Sequence, residues 1–221
     1  MDRASKIMRS RAAGRIKTEP MPTLLTGAPE RPLPLTPPRK RWTREECAAL
    51  EPSGLFERER LELIEGDLIS KMGKNRPHVN AFTLMHLWLL EAFGKQFVNA
   101  EAPIDVSPND NPLNEPEPDL IVLNRESSDI VSGNPQPRDL SLVVEIADTT
   151  LTFDLTIKAA LYARAGIVEY WVLDVAARRL FVHRNPASGK YTAVTVYSEN
   201  EGVAPVAAPT AEFRPAQAFA R

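Results

Sequence analysis

The sequence predicts a mixed α/β (α+β) fold, in one domain preceded by a tail. Three observations lead there. The chain has 221 residues, which suits one domain of roughly 150 residues with an extension. Two short, nearly continuous apolar runs, DLIVL at 119–123 and LSLVVEI at 140–146, read as strands covered on both faces. The hydrophobic period then switches along the chain, giving helix, hairpin, helix, several strands, helix and several strands, the order of a mixed domain.

The elements follow in order. Thr43 and Glu46 form an S/T-x-x-E capping box before Cys47, Ala48, Ala49 and Leu50, so a short helix starts there. Pro52 and Gly54 end it. Residues 61–64 and 68–72 flank Glu65-Gly66-Asp67, a hairpin with glycine at the turn. From Pro77 a helix runs to Gly94, with Val79, Phe82, His86, Leu89, Leu90 and Phe93 as its core-facing stripe. His86 reads as a core histidine in that stripe. Residues 97–106 read as a strand, 107–116 as a Pro- and Asn-rich loop, and 153–164 as a helix ended by Gly166. Strands follow at 169–175, 179–183 and 191–197, the last two joined by a turn at 185–189. Tyr170 and Trp171 are expected to pack the sheet.

Composition excludes several classes. One cysteine, Cys47, can build neither an internal disulfide nor a cysteine-based zinc site. No apolar run approaches the roughly 18 residues of a membrane helix, so no membrane partner is expected. The net charge of −2 hides a split: residues 1–40 carry +6 and seven of the 20 prolines, whereas residues 41–221 carry −8. The first 40 residues lack an apolar period and read as a disordered, basic, Pro-rich tail. No apolar segment of a secretory signal follows the basic start, and the cysteine usage is that of a cytoplasmic protein.

Acids at strand ends are the first chemical clue, because a buried carboxylate costs several kcal/mol unless it is paired or binds a metal. Asp119 opens the DLIVL run after Pro118. Glu145 lies inside LVVEIA and shares a face with Val143, while Val144 and Ile146 share the other. Glu145 reads either as an acid paired with a basic side chain or as a metal ligand. On adjacent strands, Asp119 and Glu145 would converge on a hard cation, Mg²⁺ or Mn²⁺. On the following helix Asp154, Lys158 and Tyr162 fall at i, i+4 and i+8, and Ile157, Leu161 and Ala165 lie near that face. Lys158 is therefore expected to face the site. Two acids and a lysine suit metal-assisted phosphodiester hydrolysis.

At these residues the sequence resembles the Uma2 family of endonucleases, in the PD-(D/E)XK nuclease superfamily. LELIEGDL, His78 at a helix start, EPDLIVL, LVVEIADTT, Asp154, Lys158 and YARAGIVEYWVLD carry the resemblance, which spans about residues 61–183 with a weaker segment near Phe213. It implies a restriction-endonuclease-like central mixed β-sheet flanked by helices. It also implies a DNA substrate, Mg²⁺ (or Mn²⁺) held by Asp119 and Glu145 with the Ile146 carbonyl, Glu62 as an additional metal-side acid, and Lys158 as the catalytic lysine. The superfamily pattern expects Glu-X-Lys, but Glu145-Ile146-Ala147 has no lysine, and Lys158 on the following helix takes that place. Bland readings stand beside these. Glu62 alternates with Leu61 and Leu63 and suits a solvent face as well. His78 suits a surface, cap or phosphate contact. Asp154 orients Lys158 or starts its helix, and Glu169 is a candidate partner for the lysine. Cutting two strands needs two sites, so a homodimer is expected. A catalytically silent nucleic-acid-binding or regulatory protein that keeps the fold is the alternative.

Overall fold

The longest apolar run becomes the strand about which the fold is built. In the computed structural model, which describes residues 38–56, 59–71 and 75–219, β5 is Leu140–Ala147, with all but Ser141 buried. It sits inside a six-stranded sheet of order β3-β4-β5-β6-β7-β8, formed by Val98–Ala100, Leu120–Leu123, β5, Glu169–Asp174, Arg179–Ala187 and Lys190–Tyr197. The tail read over residues 1–40 lies almost wholly outside the described residues.

β4 pairs antiparallel with β5, in the register Leu120 to Val144. β5 and β6 are the parallel pair, with Glu145 beside Val172. A parallel connection needs a crossover, usually helical, and residues 151–165 supply it. That crossover is α3 (Leu151–Phe153), a π-helical turn (Asp154–Lys158) and α4 (Ala159–Ala165), closed by Gly166 in the left-handed region at φ 78°. Both sheet faces are covered, which is why the strands read as continuous apolar runs. Leu120, Val122, Leu142, Val144, Ile146 and Trp171 meet Ala81, Met85 and Leu89 of α2 (Arg76–Phe93) on one face, together with Phe213. Ile121, Val143, Tyr170 and Val172 meet Leu161 and Tyr162 of α4 on the other.

The remaining elements follow their local chemistry. α1 (Arg44–Leu50) begins with the expected capping box, Thr43 accepting from the Glu46 amide and Glu46 accepting in return. β1 (Leu61–Ile64) and β2 (Asp67–Ser70) form the expected hairpin across Glu65 and Gly66. None of the described helices is long and apolar enough to cross a membrane.

Three local readings need correction. The strand read over 97–106 stops at Ala100, because Glu101 takes φ 51°. Ile104 and Val106 are still buried, but the Ile104 and Asp105 amides bond to the Pro116 and Pro135 carbonyls instead of a ladder. The buried stripe of α2 is Ala81, Met85 and Leu89, with Phe82, Trp88, Leu90 and Phe93 only partly buried beside it. His86 is likewise half-buried rather than core. Ile157 is 42% exposed, because the π turn inserts a residue and turns it away from the sheet.

Candidate functional site

The site lies where β5 ends and the crossover begins. The register that sets Leu120 against Val144 carries the preceding residue, Asp119, opposite Glu145. Asp119 Oδ2 accepts the Ile146 amide at 2.8 Å, and the Asp119 amide points at Glu145 Oε2 at 3.4 Å. Both side chains are buried, at the end of a β-ladder where neither acid can move far.

The π turn delivers the lysine. The Ala159 amide bonds back to the Asp154 carbonyl, an i to i+5 contact that widens the helix, and such bulges recur at functional sites. Asp154 and Lys158 are each 3% exposed and Tyr162 is fully buried, so the i, i+4, i+8 face points inward as expected. Lys158 Nζ donates to Glu145 Oε1 at 2.8 Å and lies 2.9 Å from Glu62 Oε1. Tyr162 donates its hydroxyl to the same Glu145 oxygen at 3.1 Å. The Thr150 hydroxyl donates to Asp154 at 2.6 Å, and the buried Tyr170 hydroxyl donates to the Asp154 carbonyl at 3.2 Å.

Glu62 comes from the hairpin. Its Oε2 accepts the Glu117 amide at 3.2 Å, and at 6% exposure it is not on a solvent face. His78 sits in the first turn of α2, its amide bonded to the Asn75 cap and its Nε2 3.7 Å from Asp119 Oδ2. These residues line a cleft of about 200 Å³ together with Lys71, Asn75, Ile146, Asp148, Phe153 and Asp154. All but one of the residues singled out in the sequence as site candidates therefore reach one place: Glu62, His78, Asp119, Glu145, Ile146, Asp154 and Lys158 line the cleft, and Tyr162 lies under Glu145. Glu169 does not. It is fully buried and bound to Arg184, Trp171 Nε1 and the Val206 amide, so it ties the C-terminal segment to the sheet instead of meeting the lysine.

The electrostatics follow from four acids facing one lysine. Burial pushes the Glu145 carboxyl up to about 8; Asp154, Asp119 and Glu62 add to that, and Lys158 opposes it. Burial likewise raises Asp154 to about 6, against Lys158 and the Thr150 hydrogen bond. For Lys158, burial acts to lower the pKa, but Glu145, Glu62 and Asp154 outweigh it and hold the ammonium charged well above its ordinary range. The cleft is thus an acid-rich pocket in which Lys158 is the buried permanent cation among the described residues, with Lys71 also lining it. Among the described residues no three His, Cys, Asp or Glu side chains form a ready-made metal cage. The donor chemistry still fits a hard divalent ion. Mg²⁺ keeps several waters and needs only one or two carboxylates, and a pocket whose acids outnumber its cations is short of positive charge.

The sequence model of the Uma2 family, described as "Putative restriction endonuclease", matches residues 44–215. The chain belongs to that family. No curated protein matches the sequence. Among solved structures, the chain is similar to one from Anabaena variabilis described as "a putative nuclease belonging to DUF820", at 16% identity and a TM-score of 0.54, covering 73% of this chain and 90% of that one. The six-stranded mixed sheet with flanking helices is that nuclease-like fold. Several residues of this Uma2 site were missed in the sequence, Asn75 and Lys71 among them. Asn75 caps α2 and contacts the Asp148 carboxylate, and an Asn just before a helix-initiating Pro77 was a readable cap signal. Lys71, which donates to the Glu117 carbonyl at 2.7 Å, had no such signal, because only the fold of the hairpin brings it to the cleft.

Proposed function

We propose that this Uma2 protein is a metal-dependent endonuclease that hydrolyses DNA phosphodiester bonds. Asp119 and Glu145 would hold Mg²⁺ (or Mn²⁺), with the Ile146 carbonyl beside them and Glu62 as a further acid on that side. The observation that carries this reading is the buried Lys158 ammonium, 2.8 Å from Glu145 Oε1, beside an Asp119 held in place by the β4–β5 register. When bound, the cation supplies Lewis-acid chemistry, offsetting phosphate charge and acidifying water.

The residues of the chain do the rest. Lys158 places a fixed positive charge where negative charge develops on the phosphoryl oxygens, and such preorganised charge acts strongly in a site shielded from water. Glu62 and Glu145 hold that ammonium from two sides and keep it protonated. Tyr162 fixes the rotamer of Glu145 through its hydroxyl. Thr150 and Asp154 anchor the π turn that carries the lysine. His78, at the rim, contacts the incoming phosphate. DNA is the substrate, and a homodimer would supply one cleft per strand.

Purified protein supplied with Mg²⁺ or Mn²⁺ should cleave DNA. Asp119→Ala and Lys158→Ala should abolish cleavage with the fold intact, and well-folded variants that cut as fast as the parent refute the reading. The charge of −8 on residues 41–221 favours a second reading, a nucleic-acid-binding or regulatory protein without cleavage, since phosphate backbones select Lys/Arg surfaces. It predicts DNA binding that is lost with residues 1–40 and no product with any metal.

A further inference from the structure

The outer edge of β8 matches itself. β8 closes the sheet on the side away from β3, and among the described residues its backbone bonds to nothing but β7. Sheets usually blunt such an edge with a short strand, a proline, a bulge or interspersed charge. The opposite edge, β3, is blunted by its length of three residues. β8 has eight residues, KYTAVTVY, with no proline and one charge, Lys190, at its start. Thr192, Val194, Thr195 and Val196 are exposed along it, the two valines at 52% and 47%. A long, β-branched edge with a single charge at its start is a template for another strand.

We propose that β8 pairs antiparallel with β8 of a second copy, with Val194 on the two-fold axis, joining the two sheets into one. A two-fold contact is isologous, so the strand must complement itself. In this register each Val194 faces its counterpart, and Thr192 faces the partner's Val196, so three of the four exposed β-branched side chains of each copy meet on one face. On the other face Ala193 meets the partner's Thr195. Such β-branched cross-strand pairs are the favourable ones. The charges agree as well. Lys190 comes opposite the partner's Ser198, whose amide and hydroxyl both donate to Glu201 at 2.7 and 2.8 Å. The only charged side chain of the strand therefore lands beside an exposed carboxylate of the other copy. β8 stands three strands from β5, about 14 Å at the usual spacing, so pairing leaves both clefts open. The surface does not depend on the endonuclease reading, and its test does not read cleavage.

The test has two arms on the full chain. In sedimentation velocity the parent sediments as a dimer, and Val194→Lys sediments as a monomer with an unchanged circular dichroism spectrum. Facing residues of an antiparallel pair stand about 4.5–5.5 Å apart at Cα, within disulfide range. In a Cys47→Ser background, Val194→Cys then forms a disulfide-linked dimer on mild oxidation, and Thr192→Cys does not. A parent that is monomeric throughout, or a dimer that Val194→Lys leaves intact, overturns the pairing. Cross-linking through Thr192→Cys in preference to Val194→Cys overturns the register.

Discussion

Replacing Lys158 by methionine tests the electrostatic account most stringently, because it removes the buried cation that pairs with Glu145 and Glu62. Lys158 is 3% exposed, and it separates Glu145 at 2.8 Å from Glu62 at 2.9 Å. Methionine fills much of the same volume, so the cavity cost is small. Removing one partner of a buried ion pair costs about 3–5 kcal/mol when the remaining charge cannot be neutralised. Here it can be, at a pH set by the acids. Glu145 holds its proton to about 8 and Asp154 to about 6. At about pH 9 both are charged in the parent, whereas without Lys158, whose charge lowers both pKa values, the acids must take up protons or stay unpaired, so the variant should lose up to that amount; at about pH 5 both are already neutral and the cost should be smaller, about 1–2 kcal/mol. Urea denaturation of parent and Lys158→Met at the two pH values reads the difference. A cost that does not grow toward alkaline pH would refute the claim that Lys158 is what compensates these carboxylates.

Other outcomes follow from the same geometry. Glu145 binds its proton in the folded protein up to about 8, but only to its ordinary 4.5 when unfolded. The native state therefore holds more protons in that window, and stability falls as pH rises through it; Glu145→Gln should flatten that slope in a thermal-melt series across pH while abolishing cleavage. Tyr162→Phe deletes the hydroxyl that donates to Glu145 at 3.1 Å and should cost about 1–2 kcal/mol in denaturant titration. Glu169→Ala leaves Arg184, Trp171 Nε1 and the Val206 amide without their shared acceptor; it should destabilise by about 3–5 kcal/mol and speed hydrogen exchange around Val203 and Phe213, and exchange like the parent's would contradict that role.

The candidate site was legible to the extent that it follows strand parity and helical spacing. Glu145 interrupts an apolar strand, and alternation alone put it opposite Val144 and Ile146. Asp154, Lys158 and Tyr162 share a face by spacing. Asp119 could be placed beside Glu145 only on the condition that their strands are neighbours, and Glu62 only through the family resemblance, because both depend on pairing: the β4–β5 register brings Asp119 to Glu145, and the hairpin brings Glu62, and with it the missed Lys71, from far along the chain. Within α2 the large side chains misled. Phe82 and Phe93 dominate any hydrophobicity pattern, yet the fully buried residues are the small Ala81, Leu89 and Met85, which adapts to irregular gaps. The exposure of Ile157 was hidden because a π turn carries no composition of its own.

The central claim is that the cleft cuts nucleic acid with a divalent ion held by Asp119 and Glu145. The cleavage rate of one DNA duplex, measured against Mg²⁺ concentration for the parent and for Asp119→Asn, tests it most directly. The parent should show saturable, chelator-sensitive cleavage, and the folded variant should show none at any metal concentration. Cleavage that survives chelation, or an Asp119→Asn curve that overlays the parent's, would contradict it.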